Sequence, residues 1–383
     1  MLTLLSLSLS ATLSHAYLTT TCDDLAKNPH YSFSDYLAEF SSKEYPDTNE
    51  YALRKQTFDR ALTKIRSFNQ ADHSWKMGLN SFTDWTPVEL DSLKGLDPSL
   101  LRASSTVHHH HHQYEASTSF PKSLDWRNAT PSVITPIKEQ GLCGSCWAFA
   151  TTEAIESAAA IATGKLQVLA PQQLVSCAPN PNDCGGTGGC SGSIPSLGFN
   201  YTVSAGGLSL EATYPFHHQD TPCNGSEIQP VVGIQGYVNL PPNNATALMA
   251  ALQIGPVAIS ASANWAAYER GVFDGPHGEP CGYAVDHAIV LVGYGKDEAS
   301  GKNYWTLRNS WTPQWGEHGY MRILRAPDGE AEPCGIDANP SSGVVCKNES
   351  NVPQRYCGTC GLLSLSAYPV GAFNVGEDEE RPL

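Results

Sequence analysis

Apolar residues recur at helical spacing over residues 50–69: Tyr51, Phe58, Leu62, Ile65 and Phe68, with Arg54, Lys55, Arg60, Lys64 and Arg66 falling largely elsewhere. This predicts an amphipathic helix. A second helix is predicted from Cys146 to about Thr163, with Gly164 placed to cap it. Gly- and Pro-rich loops follow, and then strand-like runs at 231–238, 256–260, 288–293, 304–308 and 319–324. Gly293-Tyr294-Gly295 reads as a strand-end turn. A helical half followed by a strand-rich half predicts an α+β body with two lobes.

The ends differ from this body. Residues 2–13 are apolar and Ser-rich, and Ser14-His15-Ala16 supplies small residues before a cut, so 1–16 reads as a secretory signal peptide, though without Lys or Arg at its start. It is too short to span a bilayer, and no later run reaches about 18 apolar residues, so no membrane span is expected. Residues 103–119, with five His at 108–112, are polar and aperiodic and read as an exposed linker. Residues 373–383 form an acidic tail.

Composition narrows the function. The 383 residues are 41% hydrophobic and 16% charged, which is ordinary for a folded protein. With 38 acidic against 23 basic residues the net charge is −15, which sets nucleic-acid binding aside. Twelve cysteines and five Asn-x-Ser/Thr sequons, at Asn128, Asn200, Asn224, Asn244 and Asn348, favour the secretory route.

The richest chemistry lies in Gln140-Gly-Leu-Cys143-Gly-Ser-Cys146-Trp147. A cysteine in the first turn of a helix feels the positive end of the dipole, which favours its thiolate. Such a nucleophile needs a base and a group to orient that base. Asp286-His287 opens one apolar strand and Asn309-Ser310-Trp311 closes another, with His287 lying 141 residues after Cys146. Two bland readings are weaker. A thioredoxin-like Cys143/Cys146 pair needs an early βαβ unit, which is absent. A zinc site pairing it with Cys357/Cys360 would join segments more than 200 residues apart in an oxidising compartment.

With these motifs the chain resembles papain-family (cathepsin L-like) cysteine protease precursors, from about residue 31 to 370. Glu50, Arg54, Phe58, Ile65 and Asn69 are similar to one helical motif of the family's pro-segment, with Ala61 replacing the usual Asn. Gly78, Asn80, Phe82 and Asp84 are similar to a second. The resemblance implies a papain-like fold with a helical lobe and a β-barrel-like lobe at 120–372, preceded by an inhibitory pro-domain at 17–102. It implies Cys146 as nucleophile, His287 as base and later acid, and Asn309 as its orienter. Trp311 would shield the His–Asn bond, and Gln140 with the Cys146 N–H would form the oxyanion hole. No cofactor or metal is implied. The partners are peptide and protein substrates and the chain's own pro-segment, and the protein would be a monomer, secreted or directed to a lysosome or vacuole.

The resemblance also pairs Cys143 with Cys190 and Cys177 with Cys223. Cys281 is paired with Cys360, with Cys334 as a rival. Residues 326–358 look like an insertion, and Cys184, Cys334, Cys346 and Cys357 stay unassigned. A P2 pocket is implied from Ile194, Pro195, Ser260, Val285 and Leu365, beside Gly192 and Ser193 on the substrate backbone. It holds no acid, so bulky apolar P2 residues are expected. Ser193 and Thr312 replace usual glycines. These departures leave a catalytically silent binding or inhibitory homologue as the alternative, and a thiol–disulfide oxidoreductase is a third reading. His217 and His218 read as surface residues, and an endopeptidase is expected. Acid is expected to loosen the pro-segment by protonating Asp84 and the His run.

Overall fold

The computed structural model describes residues 20–40, 43–94, 119–276, 281–340, 343, 345–347 and 352–376. The signal peptide, the His run, Asn348 and residues 377–383 lie outside them.

Side-chain caps start the helices of the N-terminal unit. α1 (Cys22–Lys27) and α2 (Phe33–Glu39) open on capping boxes, Thr21 with Asp24 and Ser32 with Asp35. α3 (Thr48–Asn69) starts at Asp47, whose carboxylate accepts from the Asn49 and Glu50 N–H groups. It buries Phe58, Leu62, Ile65 and Phe68 and leaves Tyr51 exposed. β1 (Trp75–Met77) and α4 (Pro87–Ser92) complete the unit. Arg54 of α3 grips Glu89 of α4 with a fork of 2.5 and 2.6 Å. Burial alone would raise the Glu89 carboxyl, but its bonds to Arg54 and Thr86 outweigh this and hold it at about 2.

β2 (Leu124–Asp125) leads into the body. α5 (Cys146–Thr163) ends at Gly164, whose φ of 74° suits glycine. Apolar and small residues line most of its circumference, so it can be buried between neighbours on several sides. α6 (Pro171–Cys177) and α7 (Pro195–Ser204) each begin on a proline, where the missing N–H costs nothing. These three helices make one lobe.

The other lobe is built on a sheet. Its elements are β3 (Val232–Asn239), α8 (Ala245–Leu252), β4 (Val257–Ala261), β5 (Tyr268–Phe273), β6 (His287–Lys296), β7 (Asn303–Arg308), β8 (Tyr320–Leu324), β9 (Cys334–Asp337), β10 (Gln354–Cys357) and β11 (Ser366–Asn374). The strands run in the order β1-β5-β8-β7-β6-β4-β11-β3, with β2 also on β6, while β9 and β10 form a separate hairpin. The two ends of the path do not pair, so the described strands form an open curved sheet rather than a closed barrel. β11 runs to Asn374, past the boundary expected at 372.

β6 is buried on both faces, which is why its sequence reads as a continuous apolar run. Ile289 and Leu291 join the core shared with the N-terminal unit, while Ala288, Val290 and Val292 join the core around α5. Gly293-Tyr294-Gly295 lies within β6, not at a turn. A Cβ at Gly293 would collide with the Leu124 carbonyl, so this glycine admits β2 to the sheet.

The N-terminal unit docks by adding β1 antiparallel to β5, with Trp75 opposite Gly271. Gly271 has φ 97°, and a Cβ there would strike the Ser74 carbonyl. The Trp75 ring then packs 4.7 Å from Phe273, making one apolar core across the junction.

Candidate active site

Cys146 is the first residue of α5, His287 the first of β6, and Asn309 directly follows β7. The pairing of β6 with β7 therefore brings the imidazole to the amide, and Asn309 Oδ1 lies 2.9 Å from His287 Nε2. The Ser310 N–H donates to the same oxygen at 2.9 Å, which directs Oδ1 at the ring. Trp311 covers this pair, its ring 4.8 Å from the imidazole. The Ala288 N–H donates to Cys146 Sγ at 3.4 Å, so the start of β6 rests on the first turn of α5. Cys143–Cys190 anchors the loop just before α5.

Gln140 is fully buried. Its Oε1 accepts from Ser310 Oγ at 2.7 Å, which fixes the amide so that Nε2 points outward. Nε2 donates to the carbonyl of Leu93 at 2.8 Å and to that of Cys143 at 3.0 Å. Leu93 belongs to the N-terminal unit. The next carbonyl, that of Lys94, lies 3.9 Å from Cys146 Sγ. Two consecutive carbonyls of the chain's own N-terminal unit thus sit against the thiol and the amide donor.

This cover changes the electrostatics. Burial pushes the Cys146 thiol up to about 12, against the pull of the Ala288 N–H and the helix amides. Burial drops His287 to about 4, opposed by its bond to Asn309 and reinforced by the Lys94 cation. Asp286 rises to about 6, again by burial, with Lys94 pulling it down. Lys94 Nζ lies 3.5 Å from Asp286 Oδ2. The dipole argument alone predicts a thiolate, but under the N-terminal unit desolvation wins, and both groups rest neutral near pH 7.

Among the implied pocket residues, Leu365 meets both Ile194 and Ser260. Ile194 caps α7 and Pro195 begins it. The Ser260 N–H donates to the Leu365 carbonyl at 2.9 Å. Val285 is fully buried, two residues before His287. Gly192 has φ 92°, and Ser193 beside it is buried. Leu365 packs on a small cluster of Cys184, Ile194 and Cys346. Thr312 has φ 72°, the left-handed conformation that a glycine would take without strain.

Five disulfides are formed: Cys143–Cys190, Cys177–Cys223, Cys184–Cys346, Cys281–Cys360 and Cys334–Cys357. Cys22 and Cys146 stay free. Asn128, Asn200, Asn224 and Asn244 are exposed, and Asn244 also caps α8. His217 and His218 are exposed, though His218 Nδ1 lies 3.4 Å from the Gln140 carbonyl. Asp84 is bonded by Tyr36 and Tyr45 and pairs with Lys43, all within the N-terminal unit, so it supports that unit's own fold. Sequence reasoning missed Leu93, Lys94 and Ser310. Only Ser310 carried a signal, standing between Asn309 and Trp311.

A buried thiol beside an amide-held imidazole, faced by carbonyls of the chain's own N-terminal unit, defines a self-covered thiol peptidase. The family described as papain family cysteine protease matches residues 120–344, and the cathepsin propeptide inhibitor domain matches residues 33–90. Ananain of Ananas comosus is 34% identical over 84% of this chain and 89% of its own. Pro-cathepsin H of Bos taurus is 36% identical over 80% and 88%. Among solved structures, a recombinant stem bromelain precursor superposes with TM-score 0.69 at 30% identity, covering 88% of this chain and 97% of that one. The digestive procathepsin L 3 of Tenebrio molitor larval midgut gives TM-score 0.67 at 27% identity, over 88% and 99%. The chain belongs to the papain family of cysteine proteases and carries the family's inhibitory propeptide, so it is a zymogen.

Proposed function

We propose that residues 120–372, once freed of the pro-segment, act as a cysteine endopeptidase with Cys146 as nucleophile and His287 as general base. Cys146 Sγ attacks the scissile carbonyl carbon, and the negative charge gathers on its oxygen. Gln140 Nε2 and the Cys146 N–H donate to that oxygen, where losing one donor costs about 100- to 1,000-fold in other enzymes. His287 then gives its proton to the leaving amine, and water hydrolyses the thioester. Asn309 keeps the imidazole in the productive orientation throughout, and Trp311 keeps water off their bond. Ile194, Pro195, Ser260, Val285 and Leu365 hold a bulky apolar P2 side chain.

The observation that carries this reading is the Leu93 carbonyl, accepting from Gln140 Nε2 at 2.8 Å. A peptide carbonyl of the N-terminal unit already engages the amide that a scissile carbonyl would use, which supports inhibition by occupation of the site. The sequons and disulfides fit the secretory route, extracellular or directed to an acidic compartment, and the protein would act as a monomer.

The test is purified precursor held with mild reductant from neutral to acid pH. Expected are a mass loss equal to the pro-segment, cleavage of a fluorogenic peptide with apolar P2, and one epoxide label on Cys146. An intact peptide and an unlabelled Cys146 after removal of the pro-segment would make the protein a silent binding homologue.

A further inference from the structure

The insertion crosses between the lobes. It leaves the sheet after β8 and forms the β9–β10 hairpin, with Cys334 opposite Cys357 and bonded to it. Between those strands the chain reaches the segment joining α6 to α7 in the other lobe. There Cys346 is bonded to Cys184, 162 residues away in sequence. The Lys347 N–H donates to the Asn182 carbonyl at 2.9 Å, and the Lys347 ammonium pairs with Asp183.

These attachments fall on the pocket. Cys184 and Cys346 are buried in one cluster with Ile194, and Leu365 packs against it. Gly343 lies so close to the Val285 carbonyl that a Cβ would strike it. Three pocket residues, Ile194, Val285 and Leu365, are therefore touched by the insertion or by the disulfide that fixes it. A disulfide holds such a segment where a hydrogen bond alone would let it swing away.

We propose that Gly343, Val345, Cys346 and Lys347, pinned by Cys184–Cys346, form the outer wall of the P2 subsite and make the enzyme selective for peptides with a small P3 residue. On this proposal a peptide running along Gly192 and Ser193 meets the wall just beyond P2, because Cys184 leads into Gly185 and Gly186, whose close approach to the Ser193 and Ser191 carbonyls sets the disulfide beside that backbone. The proposal rests on the peptidase reading above and names the substrates it takes.

The test uses the full-length chain after processing, and peptides of the form acyl-P3-Leu-Arg-fluorophore with P3 either Gly or Trp. Rates are divided by the active-site concentration titrated with a thiol-directed epoxide. The native enzyme is expected to prefer Gly over Trp at P3 by about tenfold or more in kcat/KM, and Cys184→Ser with Cys346→Ser to shrink that preference to about threefold or less. Variants are used instead of stronger reductant, because Cys146 must be reduced in every sample. If the double variant does not fold, Lys347→Ala with Asp183→Ala keeps the disulfide but frees the strap's end, and its ratio should fall part-way. Equal rates for both peptides in the native enzyme, or one ratio across native and variant enzymes, overturns the wall. Failure of the epoxide to label overturns the peptidase reading and the wall with it.

Discussion

Replacing Gln140 by alanine tests the proposal that one amide serves both inhibition and catalysis. In the zymogen its Nε2 makes one neutral hydrogen bond to the Leu93 carbonyl at 2.8 Å. Losing it should weaken docking by about 0.5–1.5 kcal/mol, or about 2- to 13-fold in the population of the uncovered form. In the proposed role the same donor of the mature enzyme faces an oxygen that gains charge only in the transition state. Losing it there should cost about 2.7–4 kcal/mol, or 100- to 1,000-fold in kcat, with KM little changed. The first number is read from the alkylation rate of Cys146 in the intact chain at neutral pH, the second from hydrolysis by the matured enzyme. Ser310→Ala, which frees Oε1 but leaves the donor, should fall between native and Gln140→Ala in both assays. A fall in kcat of less than tenfold, or a loss confined to KM, refutes the oxyanion role. An uncovering effect larger than the catalytic one would make Gln140 chiefly a docking residue.

Three further outcomes are expected. Thr312→Gly should stabilise the zymogen by up to about 1.5 kcal/mol: relieving the left-handed conformation gains roughly 1–2, and the extra chain entropy of glycine costs about 0.5–1. The urea midpoint should rise, and a lower one counts against the strain. Gly271→Ala places a Cβ on the Ser74 carbonyl at φ 97°, so β1 should seat poorly and Cys146 in the intact chain should alkylate at least about fivefold faster. Unchanged alkylation would mean that β1 contributes little to docking. For pH, His287 is depressed to about 4, so its contribution to the covered form is whole above 6.5 and is lost as pH falls towards 4. Asp286, raised to about 6, works oppositely: its contribution is whole below 3.8 and is lost as pH rises through 6. NMR of the His287 ring should give a midpoint near 4 in the full-length chain and above 6 once the pro-segment is gone. Equal midpoints in the two forms would remove burial as the cause.

The elements legible in the sequence were those whose signal is local. α5 could be bounded at both ends because an unbroken helical run stops at a glycine. β6 was found because its Ile, Val and Leu run is buried on both faces, yet its end was misjudged. Gly293 looked like a turn when it was a site of close approach by β2, a fact about a distant partner strand. α6 and α7 were missed because each is short and starts on a proline, which a pattern reading takes as a break. The candidate nucleophile, base and amide were legible because each stands in a motif. Leu93 was not, because it acts through its backbone carbonyl, which any residue supplies. The strap left only a faint trace, four cysteines without assigned partners, since pairing over 162 residues depends on how the lobes meet.

The covered site is partly assembled: Cys146 makes no hydrogen bond to His287, whose Nδ1 has no partner among the described residues. The His287–Asn309 bond and the Ser310–Gln140 bond are made between residues of the peptidase domain. What the pro-segment adds is a carbonyl in front of Gln140, a cation beside Asp286 and exclusion of water. Excluding water penalises the thiolate and the imidazolium separately, so the charged pair is opposed twice. Removing the cover returns solvent to both groups and leaves the N-terminus of α5 still facing the sulfur, so the balance should shift towards the ion pair, with the Cys146–His287 contact closing as it forms. Activation should therefore follow the rate at which the pro-segment leaves. Once it has gone, no slow phase of active-site rearrangement should remain between its release and full epoxide reactivity, and a lag between the two would show that the covered geometry is not the working one.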